Sequence, residues 1–334
     1  MPWPRTRTSR WWRTCRKRHA RCWRCAAASN GDGCLMPSLP DNIAAVLTAV
    51  HERDQVPVDD ARVMHRHSNT AVALPAAGRL VRIAGNPDAH DRVAISVRAT
   101  RWLAGRGYPC VVPCGAPFLV DGQVVSMWRL LDVSDGPPAT GAELGELLRA
   151  LHHQPAPPAD LHLPTLSDPF DSVASAIRHH PGGMADEDRQ WLQSRITVLR
   201  EAWADLPTVL ARGLIHGDSH SNNVIRTKDG VVLADWDHVS LGPREWDVIQ
   251  PFYMARRFGR HSDADLLQFT SAYGWDARHW PGFETLIQVR EITGLSPYVR
   301  KAPTQSWARA EVAHRLETLR TRKVTARWNS PRRS

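Results

Sequence analysis

Two regions of different hydrophobic patterning follow one another along the chain. In residues 53–131, short apolar runs are separated by turn residues, and Asp121-Gly122 lies between two such runs, which indicates a β-hairpin. Asp91 to Gly105 instead has apolar residues at helical spacing. Strands are predicted over residues 61–64, 71–74, 79–83, 118–120 and 124–131, and a first helix over 41–51.

From Thr140 onward the pattern is mainly helical. Helices are predicted over residues 141–152, 171–179, 186–204, 246–258, 263–273, 280–292 and 306–320. The predicted fold class is α+β, with a small antiparallel-sheet N-lobe over residues 36–131 and a larger, mainly helical C-lobe over 132–320. A basic tail follows over residues 321–334. This lobe order is that of a two-lobed protein kinase-like fold, in which ligands bind in the cleft between the lobes.

The net charge of +9 first suggests a nucleic acid or an anionic membrane surface as a partner. Residues 1–35, however, hold eight Arg, one Lys and one Asp, so they contribute +8 and the rest of the chain is almost neutral. Nucleic acid is therefore not the expected partner of residues 36–334. The apolar runs are shorter than the roughly 18 residues that a membrane-spanning helix needs, so no membrane segment is predicted.

Residues 1–35 have several interpretations. They carry four of the six Cys, and the pair Cys22-x-x-Cys25 is compatible with a zinc knuckle, although a second paired spacing is missing. Their arginines are compatible with a basic arm that binds nucleic acid. The favoured interpretation is a disordered extension, or translated sequence upstream of a true start at Met36, because Trp, Arg and Cys without periodicity cannot form a packed face. The sparse cysteine of the remaining chain fits a reducing, cytoplasmic compartment.

Polar residues suited to phosphoryl transfer occur within one short stretch. That reaction needs a carboxylate to orient the attacking hydroxyl and accept its proton, and oxygen ligands to hold Mg²⁺ at the phosphates. Asp218 precedes Asn223 by five residues on a loop before a short predicted strand, and Asp235 follows the paired strand. Asp218 is therefore the candidate base, and Asn223 and Asp235 are the candidate metal ligands. Asp237 has two interpretations, an additional metal ligand or a cap of a neighbouring element.

Three sequence blocks carry a resemblance to a known family. H-G-D-x-x-x-x-N from His216, D-W-D from Asp235, and G-P-x-x-W-D ending at Asp247 resemble the aminoglycoside phosphotransferase and choline kinase superfamily. The resemblance implies that Asp218 is the catalytic Asp, and that Asn223 and Asp235 bind the metal. It also implies that His216 and Asp247 brace the catalytic loop. ATP or GTP would be the phosphate donor, with Mg²⁺ as cofactor.

The N-lobe departs from the pattern of this superfamily. Arg82 matches the position of a Lys that usually holds the nucleotide phosphates, and an exposed strand Arg is the alternative interpretation. Ser68 and Asn69 lie where the backbone of a nucleotide-covering turn is expected, although Ser-Asn also occurs in ordinary turns. The predicted helix over residues 91–105 contains no Glu that would pair with Arg82.

The leading hypothesis is a Mg²⁺-dependent phosphotransferase that moves the γ-phosphate of ATP, or of GTP, to a hydroxyl of a small molecule. The acceptor would be an aminoglycoside or a related amino alcohol or sugar. The departures in the N-lobe motivate an alternative, a catalytically weak nucleotide-binding regulator of the same fold. Nucleic-acid binding through residues 1–35 is a third hypothesis. The sequence has no clearly acidic patch for an aminoglycoside, and spacing does not show whether Trp246, Tyr253, Trp275 and Trp280 converge into an aromatic cage for choline. The individual acceptor within these classes is therefore not predicted, and neither is the oligomeric state.

Overall fold

The computed structural model describes residues 41–66 and 69–330, so the N-terminal extension and its alternative interpretations lie outside the described residues. Helix α1 (Asp41–Asp54) precedes a five-stranded antiparallel sheet. Its strands are β1 (Arg62–Arg66), β2 (Asn69–Leu74), β3 (Arg79–Ala84), β4 (Phe118–Val120) and β5 (Gln123–Arg129). They lie in the order β1-β2-β3-β5-β4, and helix α2 (His90–Gly105) connects β3 to β4.

The two faces of this sheet pack against different helices. Val72 and Val125 lie on one face and form a core with Ile43 of α1. Val124, the neighbour of Val125 on β5, lies on the other face and packs with Val97 of α2. This separation follows from the strand, in which successive side chains point to opposite faces.

The second part of the chain is mainly helical. Its helices are α3 (Gly141–His152), α4 (Asp171–His179), α5 (Asp186–Ala204), α6 (Glu245–Val248), α7 (Gln250–Phe258), α8 (Asp263–Tyr273), α9 (Phe283–Thr293), α10 (Ser296–Lys301) and α11 (Ser306–Arg320). Two short antiparallel pairs lie between α5 and α6, namely β6 (Gly213–Ile215) with β9 (Ser240–Gly242), and β7 (Val224–Thr227) with β8 (Gly230–Leu233). The predicted α+β class, with a small antiparallel sheet followed by a larger helical lobe, is confirmed.

One predicted helix is interrupted, and the interruption matters for the site. The pattern predicts a single helix over residues 246–258, whereas α6 and α7 are separated at Ile249. Pro251 explains the break, because proline has no backbone N–H and is tolerated only in the first turn of a helix. The carbonyl of Asp247 would accept the N–H of residue 251 in a continuous helix. It accepts the hydroxyl of Ser219 at 2.9 Å instead.

Other differences lie at element ends. The helix predicted from residue 280 begins at Phe283, after Pro281 and Gly282, and α10 is not predicted at all. The helical lobe extends past residue 320, because Trp328 is buried and its backbone N–H donates to the carbonyl of Arg257 at 2.7 Å. Within the described ranges, none of the helices is long and apolar enough to span a membrane.

Candidate active site

Two loops carry the candidate catalytic residues, and hydrogen bonds hold them together. The 216–223 loop follows β6, and a second loop joins β8 to β9. The backbone N–H of Ala234 donates to the carbonyl of Asn223 at 2.8 Å, and Nε2 of the His216 ring donates to the carbonyl of Ala234 at 3.0 Å. The pairing of β7 with β8 therefore brings Asn223 next to the segment that carries Asp235.

Asp247 is the buried carboxylate that shapes the 216–223 loop. It accepts the backbone N–H of His216 at 2.7 Å and that of Gly217 at 2.9 Å, and Nε2 of His152 lies 3.2 Å away. Burial by itself raises the pKa of Asp247. Hydrogen bonds and charge interactions with His152 and His216 lower it by more, so this pKa lies below its ordinary value. His152 is bonded on its other nitrogen to the hydroxyl of Tyr273 at 2.8 Å. The carboxylate is therefore ionised, and both of its oxygens are engaged by neighbouring donors.

The conformation of Gly217 requires a residue without a side chain. Its φ is +88°, in the left-handed region that favours glycine, and a Cβ at this position would clash with the carbonyl of His238. The Gly217 carbonyl accepts the indole N–H of Trp246 at 2.9 Å and the guanidinium of Arg290 at 3.2 Å. The Arg290 guanidinium also donates to the Trp246 carbonyl at 2.7 Å. The backbone just before Asp218 is thereby held from both sides.

Asp218 is held by neighbouring side chains and remains partly exposed. Its Oδ1 accepts the side-chain amide of Gln250 at 2.9 Å, and Nε2 of His220 lies 3.5 Å from Oδ2. The Asp218 side chain is 34% exposed. Burial by itself raises the pKa of Asp218. The hydrogen bond and charge interaction with His220, and the charge interactions with His238 and Arg290, lower it by more, so this pKa lies well below its ordinary value. Asp218 is therefore ionised at neutral pH, with an exposed part that can accept a hydrogen bond from a ligand.

Asn223 and Asp235 have the donor atoms that a hard divalent cation prefers. The Asn223 amide donates Nδ2 to the carbonyl of Asp218 at 2.9 Å, so Oδ1 is the side-chain atom left for a cation. The Asp235 side chain is 49% exposed, and its backbone φ is +61°. Carboxylate and amide oxygens, completed by phosphate and water, make the usual Mg²⁺ environment. The donor atoms of these two residues are therefore of the kind that could hold Mg²⁺.

Arg82 of β3 reaches the β8–β9 loop from the N-lobe. It makes two hydrogen bonds to Asp237, one of them 2.7 Å long, and Nη2 lies 3.3 Å from Oδ1 of Asp235. Asn69, predicted in a nucleotide-covering turn, is the first residue of β2. Ser68, predicted beside it, lies outside the described residues.

Gln250, Arg290 and His152 contact the site, but they are not among the site residues predicted from the sequence. Gln250 lies inside a segment that the pattern predicts as one helix. The signal that could have revealed it is Pro251, which marks residue 250 as the start of a helix whose first side chains face neighbouring loops. Arg290 and His152 both lie in helices that the pattern predicts, although the helix of Arg290 begins three residues later than predicted. No local pattern distinguishes them from other polar helix residues.

The model of the phosphotransferase enzyme family matches residues 61–284, two thirds of the chain. This span includes Arg82, both loops and Asp247. The chain belongs to this phosphotransferase family. No curated protein matches the sequence of this phosphotransferase.

Several solved structures resemble this phosphotransferase in fold. The amicoumacin kinase hAmiN, in complex with AMP-PNP, Ca²⁺ and Ami, has a TM-score of 0.66 at 10% identity, covering 87% of this chain and 96% of that chain. Spectinomycin phosphotransferase APH(9)-Ia, in complex with ADP and spectinomycin, has a TM-score of 0.59 at 14% identity, covering 84% and 94%. A choline/ethanolamine kinase family protein from Mesorhizobium loti has a TM-score of 0.57 at 16% identity, covering 83% and 94%. These likenesses show a kinase-like fold, as the sequence predicts.

Proposed function

We propose that this phosphotransferase moves the γ-phosphate of ATP, or of GTP, to a hydroxyl of a small molecule in a Mg²⁺-dependent reaction. The arrangement around Asp218 carries the proposal. An ionised, partly exposed carboxylate is held by Gln250 and lies on the same loop as Asn223. Asn223 is in turn hydrogen-bonded to the segment that leads to Asp235. A proton acceptor and two oxygen ligands on loops that are hydrogen-bonded to one another are what phosphoryl transfer needs.

In the proposed reaction, Asp218 accepts a hydrogen bond from the acceptor hydroxyl and orients it in line with the γ-phosphorus. The hydroxyl oxygen forms the new P–O bond and its proton passes to Asp218. The bond from the γ-phosphorus to the β–γ bridging oxygen breaks, and its electron pair stays on the nucleoside diphosphate. Mg²⁺ held by Asn223 and Asp235 supplies positive charge at the phosphates when it is bound. Arg82 contributes a further positive charge from the N-lobe.

The proposed acceptor is an aminoglycoside or a related amino alcohol or sugar. Support comes from the solved relatives, which include an amicoumacin kinase, a spectinomycin phosphotransferase and a choline/ethanolamine kinase family protein. Relatives have been solved with AMP-PNP, with ADP and, together with kanamycin, with GDP. Both ATP and GTP are therefore donors to test.

A phosphotransfer screen tests this function. The purified chain is incubated with ATP or GTP and with aminoglycosides, other antibiotics, choline, sugars and amino alcohols, in Mg²⁺ or in EDTA, and phosphate esters are measured by mass spectrometry. We expect at least one hydroxyl compound to gain phosphate in Mg²⁺, at a rate that falls about 100-fold or more in EDTA. Nucleotide binding without transfer would support the weakly catalytic regulator instead. Transfer that EDTA leaves unchanged would contradict the metal-binding roles of Asn223 and Asp235.

Replacing Gln250 with Leu is expected to lower kcat about tenfold, because the Asp218 carboxylate loses the amide that holds one of its oxygens. Nucleotide affinity should be unchanged, since the amide contacts Asp218 and not the proposed metal ligands. Steady-state kinetics on a substrate from the screen, together with ADP titration, measure both quantities. Gln268→Leu, an exposed change on α8, is the matched control. An unchanged kcat would show that Gln250 does not position Asp218.

A further inference from the structure

The ion pair between Arg82 and Asp237 joins residues 155 positions apart, one from the N-lobe sheet and one from the β8–β9 loop. Nη1 and Nη2 of the guanidinium each donate to a different oxygen of the Asp237 carboxylate. The Arg82 and Asp237 side chains are only 19% and 20% exposed. A two-point contact of this kind fixes both the position and the plane of the guanidinium.

In the described part of the N-lobe, the helix and strands next to Arg82 carry no carboxylate that makes a two-point contact of this kind. Arg82 lies between Val81 and Ile83, which pack towards α1, so its side chain lies on the sheet face that packs against α2. The only acidic residue of α2 is Asp91, in the first turn and 98% exposed. The β-sheet neighbours opposite Arg82 are Ala71 and Ser126, which carry no charge. The carboxylate that pairs with Arg82 therefore comes from the other lobe.

We propose that Asp237 is the positioning residue for Arg82, in place of a buried acidic residue on α2, and that it is not a metal ligand. The inference rests on the proposed function, because it assumes that Arg82 binds the nucleotide phosphates. Both Asp237 oxygens are engaged by the guanidinium, whereas Asp235 receives a single contact and stays half exposed. The metal ligands are then Asn223 and Asp235 alone, and Asp237 holds Arg82 beside them.

This assignment differs in a measurable way from a metal-binding role of Asp237. A positioning residue for Arg82 affects nucleotide affinity even when the metal is removed. A metal ligand affects only the metal-dependent part of that affinity. The effects of Arg82 and Asp237 substitutions should also overlap if the two residues act through one ion pair, because removing either partner removes the same interaction.

The experiment is a titration of ADP in EDTA, and again in Mg²⁺, by isothermal calorimetry with the full chain. Asp237→Asn and Arg82→Ala are each expected to weaken ADP binding in EDTA about tenfold, and the double variant should be no weaker than Arg82→Ala. Arg82→Lys keeps the charge without the planar fork, so it should also bind ADP more weakly. Asp229→Asn, an exposed change in the β7–β8 turn, should bind as the unsubstituted chain does.

Two results would contradict the proposal that Asp237 positions Arg82. Unchanged ADP affinity of Asp237→Asn in EDTA, with weaker binding only in Mg²⁺, would overturn the proposal in favour of a metal ligand. A loss of about a hundredfold in the double variant, the product of two independent tenfold losses, would also overturn it. Thermal unfolding of each variant identifies misfolded protein, and Arg82→Lys with its own Asp237→Asn double variant repeats the coupling test if Arg82→Ala does not fold. A chain that binds ADP but phosphorylates nothing would refute the proposed function and leave this ion-pair test intact.

Discussion

Asp218→Asn is expected to lower the rate of phosphotransfer about 1000-fold, within the range that general acid–base groups contribute. The asparagine keeps the size of the side chain and an oxygen that can accept the Gln250 amide. It cannot take the proton of the acceptor hydroxyl, and its NH₂ group presents a donor where the hydroxyl needs an acceptor. Nucleotide affinity should change less than about twofold, because Asn223 and Asp235 are untouched.

The measurement is a single-turnover phosphotransfer assay on a substrate found in the screen, combined with ADP titration in Mg²⁺. Asp229→Asn is the matched control, since it makes the same chemical change in an exposed turn. A rate within about tenfold of the unsubstituted chain would remove Asp218 from the role of base. A large loss of nucleotide affinity, with an unchanged rate of the bound complex, would make Asp218 a binding residue instead.

Asp247→Ala is expected to lower the free energy of unfolding by about 3–5 kcal/mol, the usual cost of removing one partner from a buried charged network. The substitution leaves the backbone N–H groups of His216 and Gly217 and the ring of His152 without their buried acceptor. These unpaired donors lie in the protein interior, because the Asp247 side chain that they contact is fully buried. The 216–223 loop should also lose its shape, so activity should fall with stability.

Urea unfolding followed by circular dichroism measures the stability change, with a shift in midpoint at constant slope as the criterion. Asp59→Ala, an exposed change, is the control and should alter stability by less than about 0.5 kcal/mol. Because the folded pKa of Asp247 is lowered, its contribution is complete above the ordinary carboxyl pKa of about 3.9 and is lost as the pH falls towards the folded value. The difference between the two chains should therefore shrink below about pH 4. A stability difference under 1 kcal/mol at neutral pH would contradict the bracing role.

The local pattern of apolar and turn residues predicted most of the helices and strands. The helices Gly141–His152, Asp171–His179, Asp186–Ala204 and Asp263–Tyr273 have the predicted bounds, because a 3.6-residue period of apolar side chains is read within a single segment. The Asp121-Gly122 turn of the β4–β5 hairpin is equally local. The interruption at Ile249 was not predicted, although its cause, Pro251, stands in the sequence.

The sequence by itself determined the two-lobed α+β class. It also selected Asp218, Asn223 and Asp235 as candidates through their spacing within one short segment, and Asp247 through the resemblance to a known family. Only the tertiary structure decided which side chains support these residues. His152 reaches Asp247 across 95 positions, and Gln250 reaches Asp218 across 32. The partner of Arg82 is the most distant, because Asp237 is supplied by the other lobe. Partners of this kind depend on how helices and loops pack, and no periodicity along the chain records that packing.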